Sequence, residues 1–193
     1  MMSAIKEYRV WILCEDRNHY HFTRGFLCQI GINERRIMLA ADLPEGKGSG
    51  EQFVREQLPI ALQKYARHKE KKFLVIMLDV DKAERTPEQI LGVLQSVVEG
   101  SNLQGIKVTD KLLFVFPKRN IETWFKWLDS DSFIKLSINE IDDYKQTQHN
   151  AKPTALGKKA GGLCLNYKPD DESTMLPSMQ YTCSSLKKLV ELL

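Results

Sequence analysis

Four short apolar runs, separated by segments with helical spacing, constrain the fold of this chain more than any other feature. They are residues 9–14, 36–41, 73–78 and 112–116. Each run has the length of a β-strand, whereas the segments between them repeat apolar residues every three or four positions, as amphipathic helices do. Strands that alternate with helices form parallel sheets joined by crossover helices. The sequence therefore predicts an α/β fold with a central, mainly parallel four-stranded sheet flanked by helices.

Local capping signals place several of the helices. Thr86 and Gln89 have the spacing of a capping box, and a proline stands between them at the first helical position. Ser49 and Gln52 repeat that spacing and predict a second helix start. Residues 121–128 carry a helical apolar stripe, which predicts a short helix packed on the sheet after the fourth strand.

The length and composition fit one main domain with a C-terminal addition. The chain has 193 residues, of which 42% are hydrophobic, so it can bury a sizeable core. We expect a domain over residues 1–145 and an extension over residues 146–193, packed on the same domain. The extension is predicted to hold an irregular basic loop and a terminal helix from residue 184. The basic residues of that loop are Lys152, Lys158 and Lys159.

Other global features indicate a cytoplasmic protein. No apolar run approaches the length of a membrane span, and charged residues precede the first apolar stretch, unlike a secretory signal. The four cysteines are scattered, so we expect reduced thiols. The net charge of +3 does not by itself indicate nucleic-acid binding.

Acidic residues follow two of the predicted strands. Glu15 and Asp16 come directly after the first strand, and Asp79 and Asp81 follow the third. In an open parallel sheet, ligands bind beyond the carboxyl ends of the strands, where these acids should lie. Carboxylates gathered there repel one another unless a hard cation is bound, and Mg²⁺ or Mn²⁺ suits oxygen ligands. Alternatively, such acids cap the following helices or stay solvated at the sheet rim.

From this placement we predict a metal site that acts on phosphodiesters. Asp79 and Asp81 are assigned to the metal, and Glu15 to proton transfer with a share in metal binding. Asp16 should point to the other face of the extended chain, where it supports the site indirectly.

The order of an apolar strand ending in Glu15, a later strand ending in Asp79-Val80-Asp81, and alternating helices resembles the TOPRIM domain of topoisomerases, primases, and OLD-type and RloB-like nucleases. Three segments are more specific: Glu15-Asp16-Arg17 with His19, the run GKGSGEQFVR at positions 46–55, and PKRNIETW at positions 117–124. Together they are similar to a group of small bacterial TOPRIM-like proteins. The resemblance covers roughly the first three quarters of the chain. It implies a Rossmann-like, metal-dependent nuclease fold in which Glu15 is the general acid/base and Asp79 and Asp81 bind magnesium.

Basic residues near the same sheet edge are candidates for phosphate binding. Lys118 and Arg119 follow the fourth strand, and the planar guanidinium of Arg119 suits a phosphate, although an ion pair with Glu122 or Asp79 is an alternative. Glu122 itself adds a metal ligand or simply favours the start of its helix.

The glycine-rich run is a second candidate for phosphate binding. It offers Lys47, with Arg55 one turn into the following helix, yet it lacks the ending of a Walker A loop, and a capped turn is the alternative. His19 should assist near Glu15. A zinc site built on His19 and His21 lacks further ligands at suitable spacing.

The predicted function is that of a metal-dependent nuclease acting on DNA or RNA. By family analogy it would be a bacterial defence effector working with an ATPase partner. Alternatives are a non-catalytic nucleic-acid- or protein-binding subunit, a haloacid-dehalogenase-like phosphatase with nucleophile and acid at Asp79 and Asp81, and a receiver-like phosphoacceptor module. The phosphatase interpretation is disfavoured because its motif belongs after the first strand, and the receiver interpretation lacks a fifth strand carrying lysine.

Overall fold

The computed structural model of the chain describes residues 5–44, 50–81, 84–101, 112–168 and 175–193. Its centre is a four-stranded sheet in which every neighbouring pair is parallel, in the order β2-β1-β3-β4. The strands are β1 (Arg9–Cys14), β2 (Ile37–Leu39), β3 (Lys72–Met77) and β4 (Leu112–Val115). The predicted α/β fold with a parallel four-stranded sheet is therefore confirmed, although β2 is shorter than expected.

Helices flank this sheet. They are α1 (Arg17–Gln29), α2 (Gly50–Arg67), α3 (Pro87–Gly100), α4 (Ile121–Asp129), α5 (Ser132–Lys135), α6 (Pro153–Asn166) and α7 (Pro177–Leu192). The capping box of α3 is confirmed: Thr86 Oγ1 accepts from the Gln89 backbone N–H at 3.3 Å, and Gln89 Oε1 accepts from the Thr86 N–H at 3.0 Å. Ser49, the other predicted cap, lies outside the described residues. None of the described helices is long and apolar enough to cross a membrane.

The sheet separates two apolar cores. Side chains of β1 and β3 that point to one side pack with α1, α4, α6 and α7, and those on the other side pack with α2 and α3. Residues 73–77 of β3 are fully buried, because this central strand is covered on both faces. The carboxyl ends of β1 and β3 are thereby held side by side on a rigid base.

The prediction of an irregular basic loop in the C-terminal extension is wrong. Lys158 and Lys159 lie on helix α6, which has Lys152 as its N-cap. The terminal helix begins at Pro177 rather than at residue 184. The glycines that suggested a loop instead allow α6 to pack closely on α1. A Cβ on Gly157 would lie 1.9 Å from the Phe22 carbonyl oxygen, and only glycine fits there.

The expectation of four reduced thiols is also wrong. A disulfide joins Cys164 of α6 to Cys183 of α7, while Cys14 and Cys28 are free. The two bonded residues are 19 positions apart in the sequence. They meet because α6 and α7 pack against each other, which the spacing of the cysteines alone could not reveal.

Candidate metal centre

Glu15 and Asp79 meet at the point where the strand order of the sheet changes direction. The chain leaves β1 toward β2 on one side, and β3 lies on the other, so the ends of β1 and β3 flank a crevice of the kind that binds ligands in α/β proteins. Glu15 follows β1 directly, and its Oε1 accepts a hydrogen bond from the backbone N–H of Asp79 at 2.8 Å. The two acids thus share one site.

His19 completes this site from the first turn of α1. Its Nε2 lies 3.0 Å from Asp79 Oδ1, and its Nδ1 lies 2.8 Å from Asp16 Oδ1. Asp16 is also the N-cap of α1, where its Oδ1 accepts from the His19 backbone N–H at 2.9 Å. Only 2% of His19 and 6% of Asp79 are exposed, so the contact between these two side chains is shielded from water, whereas the Asp16 side chain is 55% exposed.

Three side chains of this group could hold a metal ion. One donor atom each of Glu15, His19 and Asp79 lies within 4.8 Å of the others. Two carboxylates and one imidazole form a donor set that divalent metals use in proteins. The residues present therefore fit a metal ion, and we refer to these three as the metal cluster.

Burial and mutual charge shift the pKa values within the metal cluster. Burial, followed by the negative charge of Asp79, raises the pKa of Glu15 to about 7. Burial also raises the pKa of Asp79, although the neighbouring His19 acts in the opposite direction. Burial disfavours a charge on His19, yet the Asp79 and Asp16 carboxylates outweigh it and raise the pKa of His19 well above its usual range. Without a metal, the two carboxylates therefore favour the protonated form of His19.

The start of helix α2 closes over Glu15. Gly50 is the first residue of α2, and a Cβ there would lie 2.1 Å from Glu15 Oε2. Any larger residue would displace either the carboxylate or the helix. Position 50 therefore needs glycine for the Glu15 side chain to stay where it is.

Asp81 does not join the metal cluster. Its carboxylate is 53% exposed and lies 3.3 Å from the Lys145 ammonium. Asp81 directly follows Val80, which forms an isolated bridge with Lys118. Its charge still raises the pKa values of Glu15 and Asp79, so it acts on the site from the rim.

Arg119 lies beside Asp81 in a strained backbone conformation. Its φ of 69° is rare for a residue other than glycine, and conformations of this kind are often found at functional sites. One guanidinium nitrogen donates to the Asp81 backbone oxygen at 2.9 Å, and another lies 3.9 Å from an Asp143 carboxylate oxygen. The alternative considered for Arg119, an ion pair with Glu122 or Asp79, is not seen among the described residues, and Arg119 pairs with Asp143 instead. Nε is buried without a hydrogen-bond partner among the described residues.

The remaining predicted residues lie at varied distances from this centre. Glu122 is half-buried on the first turn of α4, and burial raises its pKa, with a smaller contribution from the Asp79 charge. Lys118 is half-buried, and its backbone N–H donates to Ser178 Oγ at 3.3 Å. Arg55 is exposed and lines a groove between α2 and α3. Lys47 lies outside the described residues.

A mainly apolar groove of about 710 Å³ lies beyond the edge strand β4, apart from the metal cluster. Val80, between Asp79 and Asp81, and Lys118 belong to its lining and connect it with the acidic end of the sheet. Phe116, Leu176 and Tyr181 form part of its wall. Glu15, His19 and Asp79 are not among the residues that line this groove.

Two features of the site were not predicted from the sequence. His19 is a potential metal ligand, whereas the sequence indicated only that it lies near Glu15. The spacing Asp16-x-x-His19, typical of a helix N-cap, could have indicated that Asp16 holds His19 in place. Lys145 comes from the segment before α6 and reaches Asp81 by tertiary folding alone.

Comparison with known proteins adds no family assignment. No protein-family model matches the chain, and no curated protein or solved structure matches it. The fold and the site together define an α/β protein with a candidate metal centre at the β1/β3 switch point.

Proposed function

We propose that this chain is a divalent-metal-dependent phosphodiester hydrolase of the TOPRIM-like kind, acting as a nuclease on DNA or RNA. The observation that supports it is the hydrogen bond of 2.8 Å between the Asp79 backbone N–H and Glu15 Oε1. This contact joins the acids of two strand ends in a crevice that α/β proteins use for ligands.

Each residue of the site has a role in this proposal. Bound Mg²⁺ or Mn²⁺ would stabilise the charge that develops on the phosphoryl oxygens. Asp79 and Glu15 would hold it, with His19 beside them. Glu15 would also transfer the proton, as a general acid/base must, and in the metal-free protein burial raises its pKa to about 7. Arg119 and Lys145 supply positive charge at the rim, where they would bind the phosphate of the substrate.

The wider setting follows from the same proposal. A nuclease of this kind would work in the cytoplasm. By analogy with the family that the sequence resembles, it would act with an ATPase partner in a bacterial defence system. The disulfide between Cys164 and Cys183 runs against a cytoplasmic location, because most cytosolic compartments keep thiols reduced. Trapping of thiols in intact cells, followed by mass analysis of these two cysteines, tests the location directly.

Cleavage assays test the activity. Supercoiled plasmid, single-stranded DNA and single-stranded RNA are incubated with the protein and Mg²⁺ or Mn²⁺. We expect Glu15→Gln and Asp79→Asn to lower cleavage by about 100-fold or more, the contribution typical of acid–base catalysis. Glu56→Gln is the matched control, since Glu56 is exposed on α2 and bonds only to Gln52 among the described contacts. Cleavage that both site variants retain in full would refute the proposal.

A receiver-like phosphoacceptor module is a second candidate, favoured by the strand order β2-β1-β3-β4 with acids after β1 and β3. Asp79 would then accept the phosphoryl group. Its burial and its contact with His19 disfavour this role, so we expect no stable adduct with beryllofluoride. A stable adduct on Asp79 would replace the nuclease proposal with this one.

A further inference from the structure

The orientation of the His19 ring indicates which kind of metal the site takes. Asp16 holds Nδ1 at 2.8 Å and is itself fixed as the N-cap of α1, so the ring cannot rotate freely. The other nitrogen, Nε2, is thereby directed at Asp79. Metal-ligating histidines in proteins typically show this arrangement, with one nitrogen bonded to a carboxylate and the other on the metal.

The spacing of the donor atoms agrees with a shared ion. Two ligands that bind one ion at about 2.1 Å lie about 3.0 Å apart at the right angles of octahedral geometry and about 3.4 Å apart in the tetrahedral geometry of zinc. His19 Nε2 and Asp79 Oδ1 are 3.0 Å apart. An ion could therefore bind both atoms with little change in the distance between them.

We infer that His19 is a ligand of the bound metal through Nε2, and that the site consequently takes zinc or a first-row transition-metal ion in preference to magnesium. This inference rests on the proposed metal-dependent function. Magnesium favours oxygen ligands and retains several waters, whereas imidazole suits zinc, copper, iron and nickel. Asp81, the carboxylate that would have made an all-oxygen site, is exposed and paired with Lys145.

Pulsed electron paramagnetic resonance of the Mn²⁺-loaded full chain tests the inference without any activity measurement. Wild-type protein should show coupling of the manganese spin to a ring nitrogen, and ¹⁵N labelling of histidine should change that coupling. His19→Gln should remove it, whereas the matched control His21→Gln should retain it, since His21 is exposed on the same helix. Thermal unfolding in EDTA verifies that each variant is folded.

Affinities measured by calorimetry supply the second readout. His19→Gln should weaken Mn²⁺ binding by about 10-fold or more and Mg²⁺ binding much less. Asp16→Asn keeps the cap of α1, because asparagine caps helices as well as aspartate does, but removes the charge that orients the ring. It should weaken Mn²⁺ binding by about 10- to 100-fold. This variant keeps the test decisive even where His19→Gln does not fold.

The outcomes separate this inference from the proposed function. Manganese that binds through Glu15 and Asp79 without nitrogen coupling, and with equal affinity in His19→Gln, overturns the inference and leaves the nuclease proposal intact. Absence of Mn²⁺ binding at millimolar concentration overturns both. Nitrogen coupling that is lost only in His19→Gln supports the inference, whatever substrate is cleaved.

Discussion

The backbone N–H of Asp79 donates a hydrogen bond to Glu15 Oε1 at 2.8 Å, although the two residues are 64 positions apart in the chain. The contact ties the end of β3 to the side chain that follows β1. A glutamine at position 15 can keep this bond, because its Oε1 also accepts, while it removes the charge. Glu15→Gln therefore separates the electrostatic contribution of this residue from its structural one.

Glu15→Gln should stabilise the metal-free protein at high pH. The pKa of Glu15 is raised from 4.5 to about 7 in the folded state. The contribution of protonated Glu15 to the free energy of unfolding is therefore fully present below pH 4.5, and it is lost as the pH rises through about 7. At pH 8 the variant should exceed wild type by on the order of 1 to 3 kcal/mol, and the difference should vanish toward pH 4.5. Chemical unfolding in EDTA across this range measures it, and a difference independent of pH would contradict the account.

His19 should be doubly protonated at neutral pH in the metal-free protein. The carboxylates of Asp79 and Asp16 raise its pKa well above 6.5 against the effect of burial. The corresponding stability is fully present below pH 6.5 and is lost as the pH rises through the folded-state pKa. Nitrogen-detected NMR of histidine side chains, with His19→Gln for assignment, checks the protonation state. A neutral ring at pH 7 in EDTA is the contrary result.

Gly50→Ala should disturb the metal cluster. The new Cβ would lie 2.1 Å from Glu15 Oε2, so the carboxylate or the start of α2 must move. We expect weaker Mn²⁺ binding and a loss of about 1 to 3 kcal/mol of stability, as overpacking commonly causes.

Gly92→Ala is the matched control for that substitution. Gly92 lies within α3, and among the described residues no atom outside the neighbouring backbone of that helix lies within 4 Å of a Cβ added there. Alanine should therefore stabilise the protein by up to about 1 kcal/mol and leave metal binding unchanged. Equal effects of the two substitutions on Mn²⁺ affinity would show that α2 does not hold Glu15 in place.

Gly157→Ala should separate α6 from α1. Its Cβ would lie 1.9 Å from the Phe22 carbonyl oxygen, which belongs to backbone and cannot move aside easily. We expect a loss of about 3 kcal/mol or more in the free energy of unfolding, at the upper end of overpacking effects. Gly162→Ala should lower the free energy of unfolding only slightly, because a Cβ added there would lie 3.9 Å from Gln29 Nε2. Comparable unfolding midpoints would refute the close packing of the two helices.

The sheet and the meeting of Glu15 with Asp79 follow from simple rules applied to the sequence. Buried strands appear as continuous apolar runs, and parallel strands present their carboxyl ends at one edge. Both rules need only the positions of the strands and of the residues that directly follow them. Asp81 illustrates their limit, since whether a side chain is buried or paired with Lys145 depends on the tertiary structure.

The C-terminal third shows a different limit. Glycine breaks isolated helices, so Gly157 and Gly161 suggested a loop. In the folded protein, the close approach of α6 to α1 requires them, and burial of Leu156 and Ala160 outweighs their low helix propensity. The packing partner of a glycine cannot be identified from local sequence. The pairing of Cys164 with Cys183 could not be predicted either, because it also depends on how two helices pack.

A crystal soaked in manganese and measured for anomalous scattering tests the central claim most directly. The account predicts an anomalous peak between the side chains of Glu15, His19 and Asp79, with Asp81 outside the coordination sphere. Full manganese occupancy elsewhere, or an occupied site built on Asp81 with His19 still bonded to Asp79, would contradict it.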